Sequence, residues 1–519
     1  MRLLILTLVT LSFLSGCFHN KANDELEISG LETESGITVS NQPFTTSFYE
    51  TLTPEEQYAI SNKLLGTFYK GKKATEFFDL TKGTENLSLA STEDPIAETL
   101  LALNTPSDNY ERIIQRANEK YYRDDNTNNT KYSHLSLPLA YMHELPLSSQ
   151  MYDMWIAYQL TNTILFSPAE ELDSTHYIDA TTIFNNLFFW MQAGLSMREI
   201  AYLHMTSEEN WRRFRSPEDN TREMMEIFLM RFNDEEVPKA STACKNWYLT
   251  DGDQDYQLVK TANFNLEPQT LLDTDDIVSC EDFYREITEH GTFTTAVTRR
   301  IVDYMLPDTA VAEKEALTTI IVNTSPTQFR DIFTGIVFST YYLTQTNKVK
   351  RFEETFFNLA NRTDWYAGDG FFRDLVWDDS GRTSINLTHM NQRAMAYKLG
   401  RPLQAPIDTL SFAYYHAKIR DSLLLDQRTT TDPDNTTDSG WTANFINEES
   451  LDYLLEKEFM DYLFLAILSR KPTEKEVTEL TKILETTSDG GIKKNVNNTH
   501  ILLDYFSRLP ELYMFQASK

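Results

Sequence analysis

Three aspartates, Asp251, Asp253 and Asp255, alternate in the way ligands to a hard cation do, and weak calcium binding is the chemistry they suggest. A complete calcium loop also needs a glycine at its sixth place and a glutamate at its twelfth; Tyr256 and Ala262 stand there instead. A solvated acidic turn is therefore the expectation, with calcium as the weaker alternative and no other metal site. Gly66-Thr67-Phe68-Tyr69-Lys70-Gly71-Lys72 fits the first seven positions of a phosphate-cradling loop. Lys73 occupies the place of the magnesium-binding Ser or Thr and no strand pattern precedes the run, so the match reads as chance. Neither Gly-x-Ser-x-Gly nor His-Glu-x-x-His occurs. His134, His143, His176, His204, His290, His389 and His416 are scattered without ligand spacing, which marks them as structural or surface histidines. Carboxylate pairs suit glycoside hydrolysis, but 77 Asp and Glu supply such pairs by number alone. No cofactor is expected.

The amino terminus carries a different kind of chemistry. Met1 and Arg2 give a short positive start, and Leu3 to Leu14 form an apolar run too short for a mature membrane-spanning helix. Leu14-Ser15-Gly16-Cys17 resembles the lipobox of bacterial lipoproteins, in which small residues admit the peptidase and the cysteine thiol accepts a diacylglyceryl group. The resemblance implies a signal peptide at 1–16, a mature chain starting at acylated Cys17, and, with Phe18 rather than Asp next, sorting to the outer membrane. Residues 17–45 then read as the acylated cysteine and a polar, acidic tether. Two cysteines remain, Cys244 and Cys280. In an exported, oxidising compartment they are expected to form a disulfide, closing a loop worth about 4 kcal/mol; two buried thiols are the alternative.

The elements that would position these residues are helices. Thr53-Pro54-Glu55-Glu56 sets an N-cap, a first-turn proline and a capping-box glutamate in order, predicting a helix through Lys63. Similar starts recur at Ser167-Pro168-Ala169-Glu170, Ser325-Pro326-Thr327-Gln328 and Thr473-Glu474-Lys475-Glu476. Ile183, Leu187, Trp190 and Met191, flanked by Phe184 and Phe188, make a helical apolar stripe. Leu451 to Leu468 predicts a further helix, broken by Ser469 to Pro472 and paired antiparallel with the next. Two stretches interrupt the pattern: 237–282, which holds both cysteines, and the Thr-, Asp- and Asn-rich run from Asp426 to Trp441. The expected architecture is all-α, a large irregular multi-helix body, with room for a small hairpin inside the disulfide-stapled excursion. Its parts are an N-terminal helical part at 46–236, the stapled loop at 237–282, and a C-terminal helical part at 283–519 on the same core.

Composition narrows the function. With 77 acidic against 47 basic residues the formal charge is −30, which excludes a general nucleic-acid binder because phosphate contacts need clustered Lys and Arg. Seventeen glycines and seventeen prolines in 519 residues favour long helices over a turn-rich β fold.

Pro217-Glu218-Asp219-Asn220-Thr221-Arg222-Glu223-Met224-Met225-Glu226-Ile227 resembles the Asn-Glu-Asn-x-x-Arg-Glu-x-Met-Glu-Leu signature of a widespread family of exported, mostly helical bacterial proteins. Glu218, Arg222, Glu223, Met225 and Glu226 match, while Pro217 and Asp219 replace the two asparagines. From the residues alone, Ser216 can cap this helix, Pro217 can open it, and Arg222 can pair with Glu218 and Glu226. Cys244-Lys245-Asn246-Trp247 is similar to the family's Thr-Gly-Trp turn, with Asn246 tolerating the left-handed conformation in place of glycine. Val349-Lys350-Arg351-Phe352-Glu353-Glu354 resembles its Val-Lys-x-Pro-x-Glu helix start. Leu399-Gly400-Arg401-Pro402-Leu403-Gln404-Ala405-Pro406, followed by Ser411-Phe412, is similar to its Leu-Gly-Gln-Pro-Leu-Phe-x-Pro and Gly-Trp segments. The resemblance, over 206–412, implies an exported helical body often encoded beside a sulfatase-like partner. The histidine that commonly follows the Thr-Gly-Trp turn is missing here. Leu468 to Thr473 is similar to a connector in exported proteins linked to c-type cytochromes, but no Cys-x-x-Cys-His site exists and no haem is expected. The functional expectation is a lipid-anchored envelope protein, most simply a non-catalytic binding or scaffold protein with an envelope protein or glycan partner. The alternative is a hydrolase or accessory enzyme on envelope glycans or sulfated polymers, with Glu218, Arg222 and Glu223 as its first candidates.

Overall fold

A computed structural model describes residues 45–517 apart from 92–93, 124–126, 168–176, 232, 251–255, 263–266, 366, 368–371, 373–453, 455–457 and 489. The longer elements of the first half are all helices: α1 (Pro54–Thr67), α2 (Pro95–Leu103), α3 (Tyr110–Tyr121), α4 (Thr127–Glu144), α5 (Ser149–Thr161), α6 (Tyr177–Gln192), α7 (Met197–Met205), α8 (Glu208–Arg213), α9 (Pro217–Leu229) and α10 (Val237–Ala243). Four short strands follow, β1 (Trp247–Leu249), β2 (Leu258–Lys260), β3 (Gln269–Leu271) and β4 (Thr274–Ile277), before helices resume with α11 (Cys280–Glu289), α12 (Phe293–Met305), α13 (Val311–Asn323) and α14 (Phe329–Val337). The chain closes with β5 (Lys348–Val349), α15 (Phe352–Arg362), α16 (Phe459–Leu468), α17 (Glu474–Leu480), α18 (Val496–Phe506) and β6 (Met514–Phe515). The protein is thus mostly helical, with short two-stranded pairs and no larger sheet among the described residues.

Local sequence accounts for most helix starts. Thr53 closes a capping box with Glu56, Ser196 with Glu199, and Thr473 with Glu476, each satisfying backbone N–H groups that the first turn leaves orphaned. The predicted start at Ser325 is displaced. Ser325 sits in the left-handed region at φ 56°, and the Asp331 carboxylate accepts from the N–H groups of Thr327 and Gln328 at 2.9 Å, so helix α14 opens at Phe329. The start predicted at Ser167-Pro168 lies largely outside the described residues.

The stapled excursion is present. Cys244, just after α10, and Cys280, the first residue of α11, form a disulfide with their Cα atoms 4.3 Å apart. Helical residues occupy both ends of the predicted 237–282 segment, so the irregular part is confined between the two cysteines. It holds two antiparallel hairpins rather than one, β1 with β2 (Tyr248 opposite Val259) and β3 with β4 (Leu271 opposite Thr274). Leu272 and Asp273 make the second turn at φ 54° and 62°, the positive values a tight hairpin demands.

Buried apolar side chains from Tyr49 to Tyr513 join in one cluster. Trp155 and Trp211 are fully buried, and Phe68 packs edge-on to Tyr152 and Trp155 at 5.5 and 5.0 Å. The stripe on α6 faces the core, with Ile183, Phe184, Leu187 and Phe188 buried and Trp190 and Met191 half-buried against it. Helix α16 ends at Ser469, in the left-handed conformation, and its close partner is α18, through Phe464 and Phe506 at 4.8 Å, rather than the adjoining α17. A third strand pair was not foreseen: β6 pairs with β5, Lys348 opposite Phe515. No described helix is long and apolar enough to cross a membrane.

Candidate functional site

Helix α9 carries the residues the sequence singled out. Ser216 caps it by accepting from the Asp219 N–H at 3.1 Å, and Pro217 occupies the first turn, where its missing N–H costs nothing. Asn220, Thr221, Met224, Met225, Ile227 and Phe228 face the core. That leaves Glu218, Arg222 and Glu226 on the outer face, where Arg222 meets Glu218 at 3.3 Å. Such an exposed pair contributes about 0.5 kcal/mol or less. Two of the three residues proposed for catalysis are thus a surface ladder.

Glu223 is different. It is partly buried, and burial first, then the neighbouring Glu226, pushes its carboxyl up to about 7 against the opposing pull of Arg213. Arg213, at the end of α8, is 5% exposed. Its Nη1 donates to the Ile164 carbonyl at 3.0 Å, and its guanidinium lies 4.5 Å over the Phe214 ring. Behind it His204, 2% exposed at the end of α7, packs edge-on to Phe166 at 4.8 Å. Burial, with Arg213 adding to it, pushes His204 down to about 3 and keeps it neutral. On the other side Arg300 of α12 donates Nη2 to the Glu226 carbonyl at 3.0 Å, and its surroundings include Glu226, Asp303 and Glu223. Nε of Arg213, Nε of Arg300 and Nε2 of His204 have no hydrogen-bond partner among the described residues. The structure therefore brings Glu223 to Arg213 and, through it, to His204. His290 belongs to a separate neighbourhood of Arg231, Asp273, Glu236 and Glu286, with its Nδ1 beside the Thr292 hydroxyl at 2.9 Å.

The second polar centre lies in the 349–354 segment. Lys348 and Glu354 form an ion pair with both side chains 2% exposed or less, and Glu354 also accepts from the Arg351 N–H at 2.8 Å, starting α15 where the sequence placed a helix start. Arg351 lies 3.7 Å over the Tyr304 ring and donates to Gln159 and to the Tyr304 carbonyl. Gln159 reaches Tyr69 at 2.8 Å, and Tyr158 donates to Glu353 at 2.6 Å. Lys350 Nζ donates to the Leu512 carbonyl at 3.0 Å, and Lys63 Nζ to the Thr346 carbonyl at 2.6 Å. Desolvation, the largest cause in each, pushes Lys348 down to about 8 and Lys350 to about 7. These groups satisfy one another, so the network locks β5, β6 and α15 onto the core.

One rule covers many of the cations. Lys70 donates to the carbonyls of Met142 and His143 at the end of α4, Arg330 to Leu103 at the end of α2, Arg351 to Tyr304 near the end of α12, and Arg362 to Leu465 near the end of α16. Each places positive charge where a helix exposes unpaired carbonyls and the negative pole of its dipole.

This also disposes of the phosphate-loop match. Gly66 lies within α1, and a Cβ there would stand 2.3 Å from Asn358 Nδ2; one on Gly71 would stand 2.6 Å from the Asn358 carbonyl oxygen. The glycines permit close packing of α1 and its following turn on α15, and Lys70 points at carbonyls. Asn246 is not among the left-handed residues; its amide donates instead to the Ala262 carbonyl at 3.2 Å, and the Trp247 N–H closes the turn on Cys244 at 2.9 Å. His143 is ringed by Phe357, Trp365 and Phe372 at 5.5–6.5 Å, and His134 lies against Tyr122. Cys17, Asp251, Asp253, Asp255, His176, His389, His416 and the 399–412 and 426–441 segments lie outside the described residues, within which no group of His, Cys, Asp and Glu could hold a metal ion.

Sequence reasoning missed Arg213 and Arg300. Their only signal was a fixed cation beside apolar helix faces, Trp211-Arg212-Arg213-Phe214 and Arg299-Arg300-Ile301-Val302, and it does not tell a buried guanidinium from a snorkelling one. Compared with known proteins, the chain matches no family model, no curated protein and no solved structure.

Proposed function

We propose that this chain is a lipid-anchored protein of the bacterial cell envelope, held at the outer membrane through Cys17, and that it serves as a non-catalytic binding or scaffold protein for an envelope protein or glycan. The observation that carries the reading is the disposition of the three cysteines. Cys244 and Cys280 are joined inside the body, a bond that suits an oxidising compartment, and Cys17 remains at the end of the apolar run, behind the small residues that would admit the peptidase. Several acyl chains on one residue give durable attachment where a single chain holds marginally. The outward ladder of Glu218 and Arg222 and the fully paired network at Lys348 to Glu354 favour structural roles for the residues that otherwise suggest chemistry. Labelling with an alkyne fatty acid followed by membrane fractionation tests the reading: wild type carries label and sediments with membranes, and Cys17→Ser loses both. Equal behaviour of the two proteins overturns it.

A second reading, a hydrolase or accessory enzyme acting on envelope glycans or sulfated polymers, is favoured by one observation, the raised carboxyl of Glu223 beside Arg213. It requires turnover of such a polymer that Glu223→Gln abolishes while the protein stays folded.

A further inference from the structure

The surroundings of Glu223 contain more hydrogen-bond donors than the protein itself uses. Arg213 and Arg300 each commit one terminal nitrogen to a main-chain carbonyl, of Ile164 and Glu226 at 3.0 Å. Those bonds tether each guanidinium and leave its Nε–H without a partner among the described residues. His204 Nε2, which donates or accepts according to the tautomer of the neutral ring, is also unpaired among the described residues, and both His204 and Arg213 are more than nine-tenths buried. An unmet buried donor is costly, and more so on a charged group, so two of them on side chains that both act on Glu223 mark a place where something else accepts. Guanidinium nitrogens donate and cannot accept, which makes the missing group an acceptor, and two fixed positive charges make it a negative one.

We propose that the inner side of α9, between Arg213 on α8 and Arg300 on α12, binds an oxyanion group, the carboxylate or sulfate of an acidic ligand, and that Glu223 takes a proton from solvent as the anion enters. Glu223 acts on an incoming anion electrostatically. Ionised, it lies beside both arginines and repels a second anion; protonated, it removes that repulsion and adds an O–H donor. The charged groups that weigh on it are Asp219, Arg222 and Glu226 on its own helix, Arg213 from α8 and Arg300 from α12. From the other packed helices, Lys239 of α10 is engaged with the Thr270 carbonyl at 3.1 Å, and Glu281 of α11 lies towards Tyr284 and Lys260. Since Glu223 titrates near about 7 and His204 stays neutral down to about 3, a single proton governs binding above neutrality. Affinity is then level below pH ~7 and falls about tenfold per pH unit above it.

This site specifies what the binding protein proposed above would hold, and it is tested apart from the anchor. The full-length chain in detergent micelles is titrated calorimetrically with sodium sulfate and with sodium glucuronate from about pH 6 to 9. The expected result is binding at low pH with the stated decline for wild type. Glu223→Gln should bind with an affinity that no longer depends on pH, and Arg300→Met should bind at least tenfold more weakly, with unchanged far-ultraviolet dichroism. Preference for sulfate or for glucuronate names the source of the oxyanion. Heat with neither anion at pH ~6, or a wild-type affinity as independent of pH as that of Glu223→Gln, overturns the proposal, and the groups are then met by water. Loss of lipidation at Cys17 would leave the titration unchanged, so either idea can fail alone.

Discussion

Replacing Lys348 by methionine is the sharpest test of the buried network. The Lys348 and Glu354 side chains are 1% and 2% exposed, so the change leaves a carboxylate in the interior with the Arg351 N–H still bound to it but its ammonium partner gone. Breaking a buried pair from one side costs about 3 kcal/mol or more, because the remaining charge loses its contact counter-ion without gaining water; Arg351 and Lys350 still act on it from nearby, which places the cost at the lower end. The apolar stem of methionine keeps most of the packing against Phe515, whose ring lies 5.7 Å from the ammonium, so lost volume adds little. The compensating variant is Lys348→Met with Glu354→Gln, which removes both charges while keeping an acceptor for Arg351. It should return to within about 1 kcal/mol of wild type, since replacing both partners is close to neutral. Urea unfolding followed by tryptophan fluorescence, with slopes compared to verify a common transition, reads all four corners of the cycle. A single variant within about 1 kcal/mol of wild type, or a double variant no better than the single, would refute the assignment of Lys348 as the counter-ion that Glu354 needs.

The buried lysines also set a pH dependence. Burial pushes Lys350 down to about 7, so between that pH and the ordinary lysine range near 10.5 the unfolded chain binds the extra proton. Stability therefore rises with pH across this window and is lost as pH falls, at up to about 1.4 kcal/mol per unit for this group; Lys350→Met should flatten the slope measured by denaturation at stepped pH. Removing the disulfide with Cys244→Ala and Cys280→Ala should cost about 4 kcal/mol, from a loop spanning 36 residues, seen as a lower unfolding midpoint that reductant no longer shifts. Gly71→Ala should destabilise by about 1–3 kcal/mol, because its Cβ would press on the Asn358 main chain; thermal melts equal to wild type would contradict this packing.

Helices were legible wherever a cap and an apolar stripe coincided, as at Thr53 to Glu56 and Thr473 to Glu476. They were misplaced where a turn competed. Ser325 could have capped a helix, but its left-handed backbone and the reach of Asp331 moved the start to Phe329. The excursion was legible from its cysteines, whereas the β5–β6 pair was not, because it joins two-residue strands at Lys348 and Met514 that carry no period. For the candidate site, the sequence pointed to Glu218, Arg222 and Glu223 as a unit. Helical geometry divides them, sending Glu218 and Arg222 outward and turning Glu223 toward Arg213, a partner from another helix that no spacing along the chain reveals.

The proposed anchor at Cys17 is the claim on which the compartment and the envelope partner both depend. Intact-mass spectrometry of the protein purified from bacterial membranes after expression from Met1 tests it most directly. The expected product is a chain that begins at Cys17, carries the added mass of a diacylglyceryl group and fatty acyl chains, and keeps Cys244 and Cys280 two hydrogens short of the reduced form. A chain that retains Met1 to Gly16 and shows no lipid mass would contradict it.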